Sequence, residues 1–264
     1  MSFDDIRAET EHTIGCANCH DGSTLELRLT NVALIEALEK DGRRAEDLSR
    51  QEMRSMVCAN CHVEYYFAKD AYLTLPWDNG RKPEQMLDYY DSIDFKDWTN
   101  ATSGADMVKM QHPDYELFTT GVHYKRGLAC ADCHMPYSSQ GGVKYTDHHV
   151  QSPLKNVGNV CLVCHRFSEQ EAIDLVHERQ NIVWDLQKRA CDLLAIAHEE
   201  VGKAAEDFSD EQLASVRYNL RASQIRWTTW LPPTAWAFTR PRRQQEFFRR
   251  ALTSPRKHVL NFQD

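Results

Sequence analysis

Four copies of one five-residue pattern stand out in the sequence. Cys16-Ala-Asn-Cys19-His20, Cys58-Ala-Asn-Cys61-His62, Cys130-Ala-Asp-Cys133-His134 and Cys161-Leu-Val-Cys164-His165 use eight of the 9 cysteines and leave only Cys191 over. Chance would produce this form on the order of 0.01 times in such a chain. In a helical turn, residues i and i+3 share a face and i+4 lies beside them. Two thiols placed this way can form thioethers with the two vinyl groups of one haem, and the next residue, His, is carried under the iron as proximal ligand. Three other chemistries use Cys-x-x-Cys. Paired zinc knuckles need two pairs per metal and leave the His incidental. A disulfide scaffold does not repeat the His. A thioredoxin-like redox motif occurs once, near a βαβ pattern. The four-fold repeat with its His favours covalent haem c, four per chain.

The elements that must position these motifs read as mostly helical. Leu25 to Leu29 alternates like a strand. A helix is expected from about Asn31 to Lys40, and a second from Ser49 to Val57, with Ser49 and Glu52 forming a capping box. A short helix is expected at Glu84–Ser92. Residues 135–160 read as loop, with Gly141-Gly142 and Pro153. From Ser168 the texture changes. Ile173, Val176, Ile182, Val183, Leu186, Leu193, Leu194 and Ala197 fit a long amphipathic helix over 168–207, and another follows from Ser209 to Ala222. This divides the chain into a haem-binding region (1–167), a helical scaffold (168–227) and an atypical basic tail (228–264). The expected fold class is mostly α: helices and loops packed around covalently attached haems, with very little sheet.

Composition excludes several classes. With 42% hydrophobic and 27% charged residues the chain should fold, and a net charge of −8 argues against nucleic-acid binding. No apolar run reaches the roughly 18–20 residues of a membrane helix. Met1 to Ile6 has no basic or apolar signal-peptide region. The mean hydropathy of −0.60 suits a protein whose haems stand in for a conventional core.

Several longer segments resemble the ammonia-forming cytochrome c nitrite reductase family, also called the pentahaem cytochrome c-552 family. They are Cys58-Ala-Asn-Cys61-His62-Val63-Glu64-Tyr65-Tyr66-Phe67, Lys109-Met110-Gln111-His112-Pro113-Asp114-Tyr115-Glu116, Gly121-Val122-His123, and Tyr145-Thr146-Asp147-His148. The resemblance runs from about Gly15 to Trp227. It implies six-electron reduction of nitrite to ammonium, with Tyr65 and His112 as catalytic residues; read without it, they are a core aromatic and a surface His. A His can deliver protons near neutral pH, and a Tyr hydroxyl can donate to a bound nitrogen oxide. The resemblance also implies a Ca²⁺ site made by Glu64, Gln111 and the carbonyls of Tyr65 and Lys109, a hard-oxygen set suited to that ion. His123 is implied as distal ligand of the fourth motif's haem. His148, with His149 as alternative, is implied for the first motif's haem. No distal ligand is assigned for the haems on His62 and His134.

The family binds five haems, and its catalytic one uses a Cys-x-x-Cys-Lys motif absent here, so an N-terminally truncated chain is expected. The family also implies the periplasm, a homodimer joined through long helices, and a membrane-linked or soluble cytochrome as electron donor. After Trp227, relatives continue to a further distal His, whereas Thr228 to Thr239 contain none. One base missing near the Trp227 codon accounts for this and puts Thr228 onward out of frame; a divergent tail is the other reading. Two functions of different class stand open: part of a nitrite reductase, or a tetrahaem electron-transfer module without enzyme activity.

Overall fold

The computed structural model describes residues 14–229. The basic tail from residue 230, with most of the segment expected to be out of frame, lies outside the described residues, as do His12 and His258. Helix outweighs strand 54% to 8%, so the fold is mostly α, as expected. In chain order the helices are α1 (Val32–Lys40), α2 (Arg50–Ala59), α3 (Pro83–Ser92), α4 (Asp114–Thr120), α5 (Val122–Lys125), α6 (Cys130–His134), α7 (Val157–Val160), α8 (Glu169–Ala204) and α9 (Asp210–Thr229). Antiparallel pairs join β1 (Tyr66–Phe67) to β2 (Leu73–Thr74), β3 (Trp98–Thr99) to β4 (Asp106–Met107), and β5 (Tyr137–Gln140) to β6 (Val143–Thr146). Among the described residues no helix is long and apolar enough to cross a membrane.

Local chemistry explains where the helices start. Asn31 accepts from the Leu34 amide and begins α1. Ser49 and Glu52 cap α2 reciprocally, and Ser168 and Glu171 do the same for α8, each pair satisfying amides that the first turn leaves free. Helix α9 runs to Thr229, past the expected end at Ala222. Its last turns are held by burial: Ile225 and Thr229 are fully enclosed, and the Trp227 indole donates to the Gln187 carbonyl of α8 at 3.1 Å.

Two expectations fail. Leu25–Leu29 is not a strand. The Asp21 carboxylate accepts from the Ser23 and Thr24 amides, an Asx-type turn, and Leu25 adopts a left-handed φ of 60°. Only one bridge, His20 with Leu27, remains. The 135–160 segment is not all loop, because Gly141 and Gly142, at φ 58° and 82°, turn β5 into β6.

The chain also builds more core than expected. Leu34, Leu38, Met56, Trp77, Met86 and Tyr90 are enclosed with Ala222 and Ile225 of α9 in one cluster. Each such large apolar side chain contributes about 1.5–3 kcal/mol of burial. A second cluster joins Leu194, Ala197 and Val201 of α8 to Leu213, Val216 and Leu220 of α9. Helix α9 therefore belongs to both clusters and ties the long helix to the motif-bearing part. Arg221, nearly enclosed, fastens it further by donating to Asp91 Oδ1 at 2.9 Å and the Phe95 carbonyl at 2.7 Å.

Candidate functional site

The four motifs lie next to one another in chain order. Asn60 of the second motif donates to the Asn18 carbonyl of the first at 3.3 Å, and its own side chain accepts from the Thr30 and Asn31 amides. Burial raises the Cys19 thiol, with Cys61 of the second motif adding to the effect. A hydrogen bond to Cys130 of the third motif, then burial, pushes Cys58 up strongly, while the same bond lowers Cys130. Burial, followed by Cys161 of the fourth motif, pushes Cys133 up to about 12. All eight motif thiols are free of disulfides.

The motif histidines are oriented for ligation. His20 Nδ1 lies 2.7 Å from the Leu25 carbonyl, and His134 Nδ1 lies 2.9 Å from the Gln151 carbonyl. A carbonyl only accepts, so each Nδ1 carries the proton and Nε2 keeps its lone pair for a metal. The left-handed turn at Leu25 is what aims its carbonyl at His20. His62 Nδ1 is 2.8 Å from Asp114 Oδ2, and this bond holds the imidazole above its ordinary pKa.

Two non-motif histidines face motif histidines. The ring centroids of His20 and His148 are 6.1 Å apart, and those of His123 and His165 are 6.2 Å apart. Two imidazoles binding one iron from opposite sides, with bonds of about 2 Å, have centroids about 6 Å apart. His148 Nδ1 donates to the Thr146 carbonyl at 2.8 Å, leaving its Nε2 free. His149 instead turns its Nδ1 to Asp147 at 2.9 Å. Burial, then the charge of His165, lowers the His123 pKa, which favours the neutral form a metal needs. His198 lies elsewhere, 2.8 Å from Ser103 Oγ through Nδ1. The paired thiols, the Nε2-free imidazoles and the ring spacing all fit haem.

Tyr65 and His112 are brought together, stacked at 6.1 Å between centroids with 22° between planes. His62 meets the His112 ring edge-on at 6.3 Å. Just before His112, the Met110 amide donates to Thr228 Oγ1 of α9 at 3.1 Å, so the last helix holds this segment in place.

Beneath it is a buried carboxylate. Glu64 is 0% exposed; it accepts from the Tyr90 hydroxyl at 2.9 Å and from the Gln111 amide. Burial raises its pKa well above the ordinary value, and the charges of Glu116 and Asp97 add to the rise. Gln111 Nε2 donates to the Lys109 carbonyl at 3.3 Å, and its Oε1 accepts from Lys109 Nζ at 3.0 Å. Glu116 accepts from the Glu64 amide at 2.9 Å and from Trp77 Nε1 at 2.8 Å, while its second oxygen has no partner among the described residues. Burial pushes Glu116 up to about 7. The buried Glu64 carboxylate, with the more exposed Gln111 amide oxygen and Lys109 carbonyl beside it, is a hard-oxygen set that suits Ca²⁺, and Lys109 Nζ holds the Gln111 oxygen here.

Asp97, Asp114, Glu116 and Arg54 were not singled out by sequence reasoning. Isolated acidic and basic residues are common on any surface, and only the tertiary pairing marks these. Asp114 and Glu116 sit inside the family-like Lys109–Glu116 segment, which was the available signal.

The sequence profile of the family described as cytochrome c552 matches residues 1–261. The chain belongs to the cytochrome c552 family. The match continues past Trp227 and takes in the basic tail. A cytochrome c-552 of Parabacteroides distasonis is 44% identical over 246 residues, covering 92% of this chain and 50% of the relative. One from Bacteroides fragilis is 43% identical over 247 residues, covering 93% and 50%. The chain thus spans about half the length of the curated cytochromes c-552 it matches. Among solved structures, the cytochrome c nitrite reductase of Desulfovibrio desulfuricans superposes with a TM-score of 0.84 at 35% identity, covering 93% of this chain and 56% of that one. That protein is a catalytic subunit described with two calcium sites.

Proposed function

We propose that this chain is the four-haem electron-delivery part of a periplasmic cytochrome c nitrite reductase, together with one wall of its nitrite site. The observation that carries the reading is the stacked Tyr65–His112 pair, backed by the buried Glu64–Gln111 arrangement. Electron transfer alone calls for neither. Haem iron, when bound, supplies single electrons and a coordination site. Cys16/Cys19, Cys58/Cys61, Cys130/Cys133 and Cys161/Cys164 would hold the four macrocycles, with His20, His62, His134 and His165 as proximal ligands. His148 and His123 would close the first and fourth from the other side, leaving those two sites for electron transfer. Ca²⁺ would be held by Glu64, Gln111 and the carbonyls of Tyr65 and Lys109.

Nitrite reduction to ammonium consumes six electrons and eight protons. The Tyr65 hydroxyl would donate a hydrogen bond to the nitrogen oxide substrate, and the neighbouring His112 imidazole would deliver protons. Glu64 and Gln111 fix the backbone on which both rings are mounted. The family's lysine-ligated catalytic motif has no counterpart in these 264 residues. The chain by itself is therefore expected to load haem and accept electrons without fast nitrite turnover. The homodimer face is α8, where Trp184 and Ile196 are exposed, and the donor is a cytochrome.

The test is expression of the full chain with an export signal and haem-attachment machinery. Haem counting and a nitrite-dependent ammonium assay with reduced viologen follow. Four haems with negligible turnover support the reading. In the longer enzyme, Tyr65→Phe and His112→Asn should each cut kcat by about 10²–10⁴-fold. Fewer than four haems, or full turnover by this chain, including turnover abolished by changing Tyr65 or His112, would sink it.

A further inference from the structure

The four motif histidines do not have equal partners. His20 and His134 turn Nδ1 to backbone carbonyls, which are neutral acceptors. His165 stacks on Phe167 at 5.3 Å with 9° between planes. His62 turns Nδ1 to the Asp114 carboxylate at 2.8 Å, and the contact is built rather than incidental. The Tyr115 amide donates to the His62 carbonyl at 3.0 Å, so the start of α4 is bonded to the end of the second motif through the backbone. That bond places the Asp114 carboxylate against the ring. Asp114 is less exposed than its partner, 27% against 60% for the side chains.

We infer that Asp114 is a positioning and tuning residue that sets the second-motif haem at a lower reduction potential than its own ligands alone would give. This rests on the haem reading above and deepens it. The physical cause is ligand basicity. A carboxylate accepting the Nδ1 proton draws it from the ring and makes Nε2 a stronger electron donor. A stronger donor stabilises ferric over ferrous iron, so the potential falls. Neutral carbonyl acceptors at His20 and His134 exert this pull only weakly. The hydrogen bond also fixes ring rotation, which holds Nε2 in one direction.

The placement gives the tuning a role. Through His62 the second motif meets His112, and through Cys58 it meets Cys130 of the third. A depressed potential there disfavours electrons resting on the haem whose proximal ligand, His62, touches His112. They pass on as they arrive and do not accumulate beside the substrate.

The test uses the full haem-loaded chain and a spectroelectrochemical titration, with Asp114→Asn, Asp114→Glu and the parent compared. Asp114→Asn should raise one of the four potentials by about 59 mV, a tenfold change in a one-electron couple. Asp114→Glu, which keeps the charge but shifts it by a methylene, should raise the same potential by less. In a Cys58→Ala/Cys61→Ala background, which lacks the second haem, Asp114→Asn should move nothing. A purely structural role predicts no potential shift for the near-isosteric Asn. A diffuse charge effect predicts small, equal shifts in all four potentials. Either result overturns the assignment of Asp114 while leaving the haem reading intact. If Asn loses the second haem, the Glu variant decides, and an unmoved potential there overturns the inference. Fewer than four haems in the parent overturns both.

Discussion

Arg54 of α2 donates from Nη2 to Asp132 Oδ1 at 2.7 Å, across 78 residues of chain. Asp132 lies between the two cysteines of the third motif, and it also caps α6 by accepting from the Ala129 amide at 2.7 Å. The Arg54 side chain is 6% exposed, stacks on Tyr137 at 4.6 Å and bonds its hydroxyl at 2.7 Å. One guanidinium therefore joins the helix leading into the second motif, the third motif and the β5–β6 hairpin. Arg54→Met should cost about 3 kcal/mol, because the carboxylate loses a buried partner. Denaturant unfolding of the haem-loaded chain measures this. A loss below about 1 kcal/mol would show that water reaches Asp132 and replaces the arginine.

The Ser49–Glu52 cap predicts a pH effect of definite sign. The Ser49 hydroxyl and amide, then Arg43, hold the Glu52 carboxyl below its ordinary value. A depressed folded pKa stabilises fully above the unfolded value of 4.5 and is lost as pH falls through the folded one. Ser49→Ala should cost about 1 kcal/mol at pH 7. It should also flatten the acid limb of a stability–pH curve below about pH 4.5. An acid limb of unchanged slope would remove Glu52 from the account.

Glu116 has the opposite sign. Burial raises it from 4.5 to about 7. Stability from this group is complete below pH 4.5 and declines as pH rises toward 7, because the unfolded carboxyl ionises freely there while the buried one keeps its proton. Without calcium, Glu116→Gln should gain up to about 3 kcal/mol relative to the parent between pH 5 and pH 8. Unfolding curves at the two pH values, in chelator, test it. Equal differences at both would refute the assignment.

Calcium should oppose that loss. A free concentration of one hundred times Kd stabilises by about 2.7 kcal/mol. Chelation should therefore lower the melting temperature of the parent but not of Glu64→Gln, in which the anionic ligand is gone. Titration calorimetry of both proteins reads the same contrast directly.

Gly202 sits inside α8, where a Cβ would lie 2.7 Å from the Thr102 carbonyl oxygen. Elsewhere in a helix, Gly→Ala gains about 1 kcal/mol. Here Gly202→Ala should lose about 1–3 kcal/mol, because α8 must move off the 100–105 turn. A stabilised variant would mean that the turn yields freely.

The sequence was most legible where chemistry is local. The four motifs, the caps at Ser49 and Ser168, and the long period after Ser168 all depend on residues within one or two turns of each other. It misled at Leu25–Leu29, where alternation suggested a strand but Asp21 captured the backbone and His20 took the Leu25 carbonyl. It passed over the β5–β6 hairpin because both faces are largely exposed and leave no apolar alternation, although Gly141-Gly142 was a usable turn signal. Arg54, Asp97, Asp114 and Glu116 act across 10 to 90 residues of separation, and no local pattern announces such pairs. Nothing local to Gly202 shows that it marks a close backbone crossing with Thr102.

The in-order row of motifs sets a schedule for maturation. A chain emerging N-terminus first presents each cysteine pair after the one it packs against, so, on the proposed haem reading, each newly attached macrocycle would find its neighbour already seated. Helix α9 breaks that schedule. It reaches back to Asp91, Phe95 and Met110, and these contacts form only after the last pair has emerged. On the proposed reading attachment would run as a one-way queue, and the last helix of the described residues, twenty residues long, would be the latch that closes on a completed set.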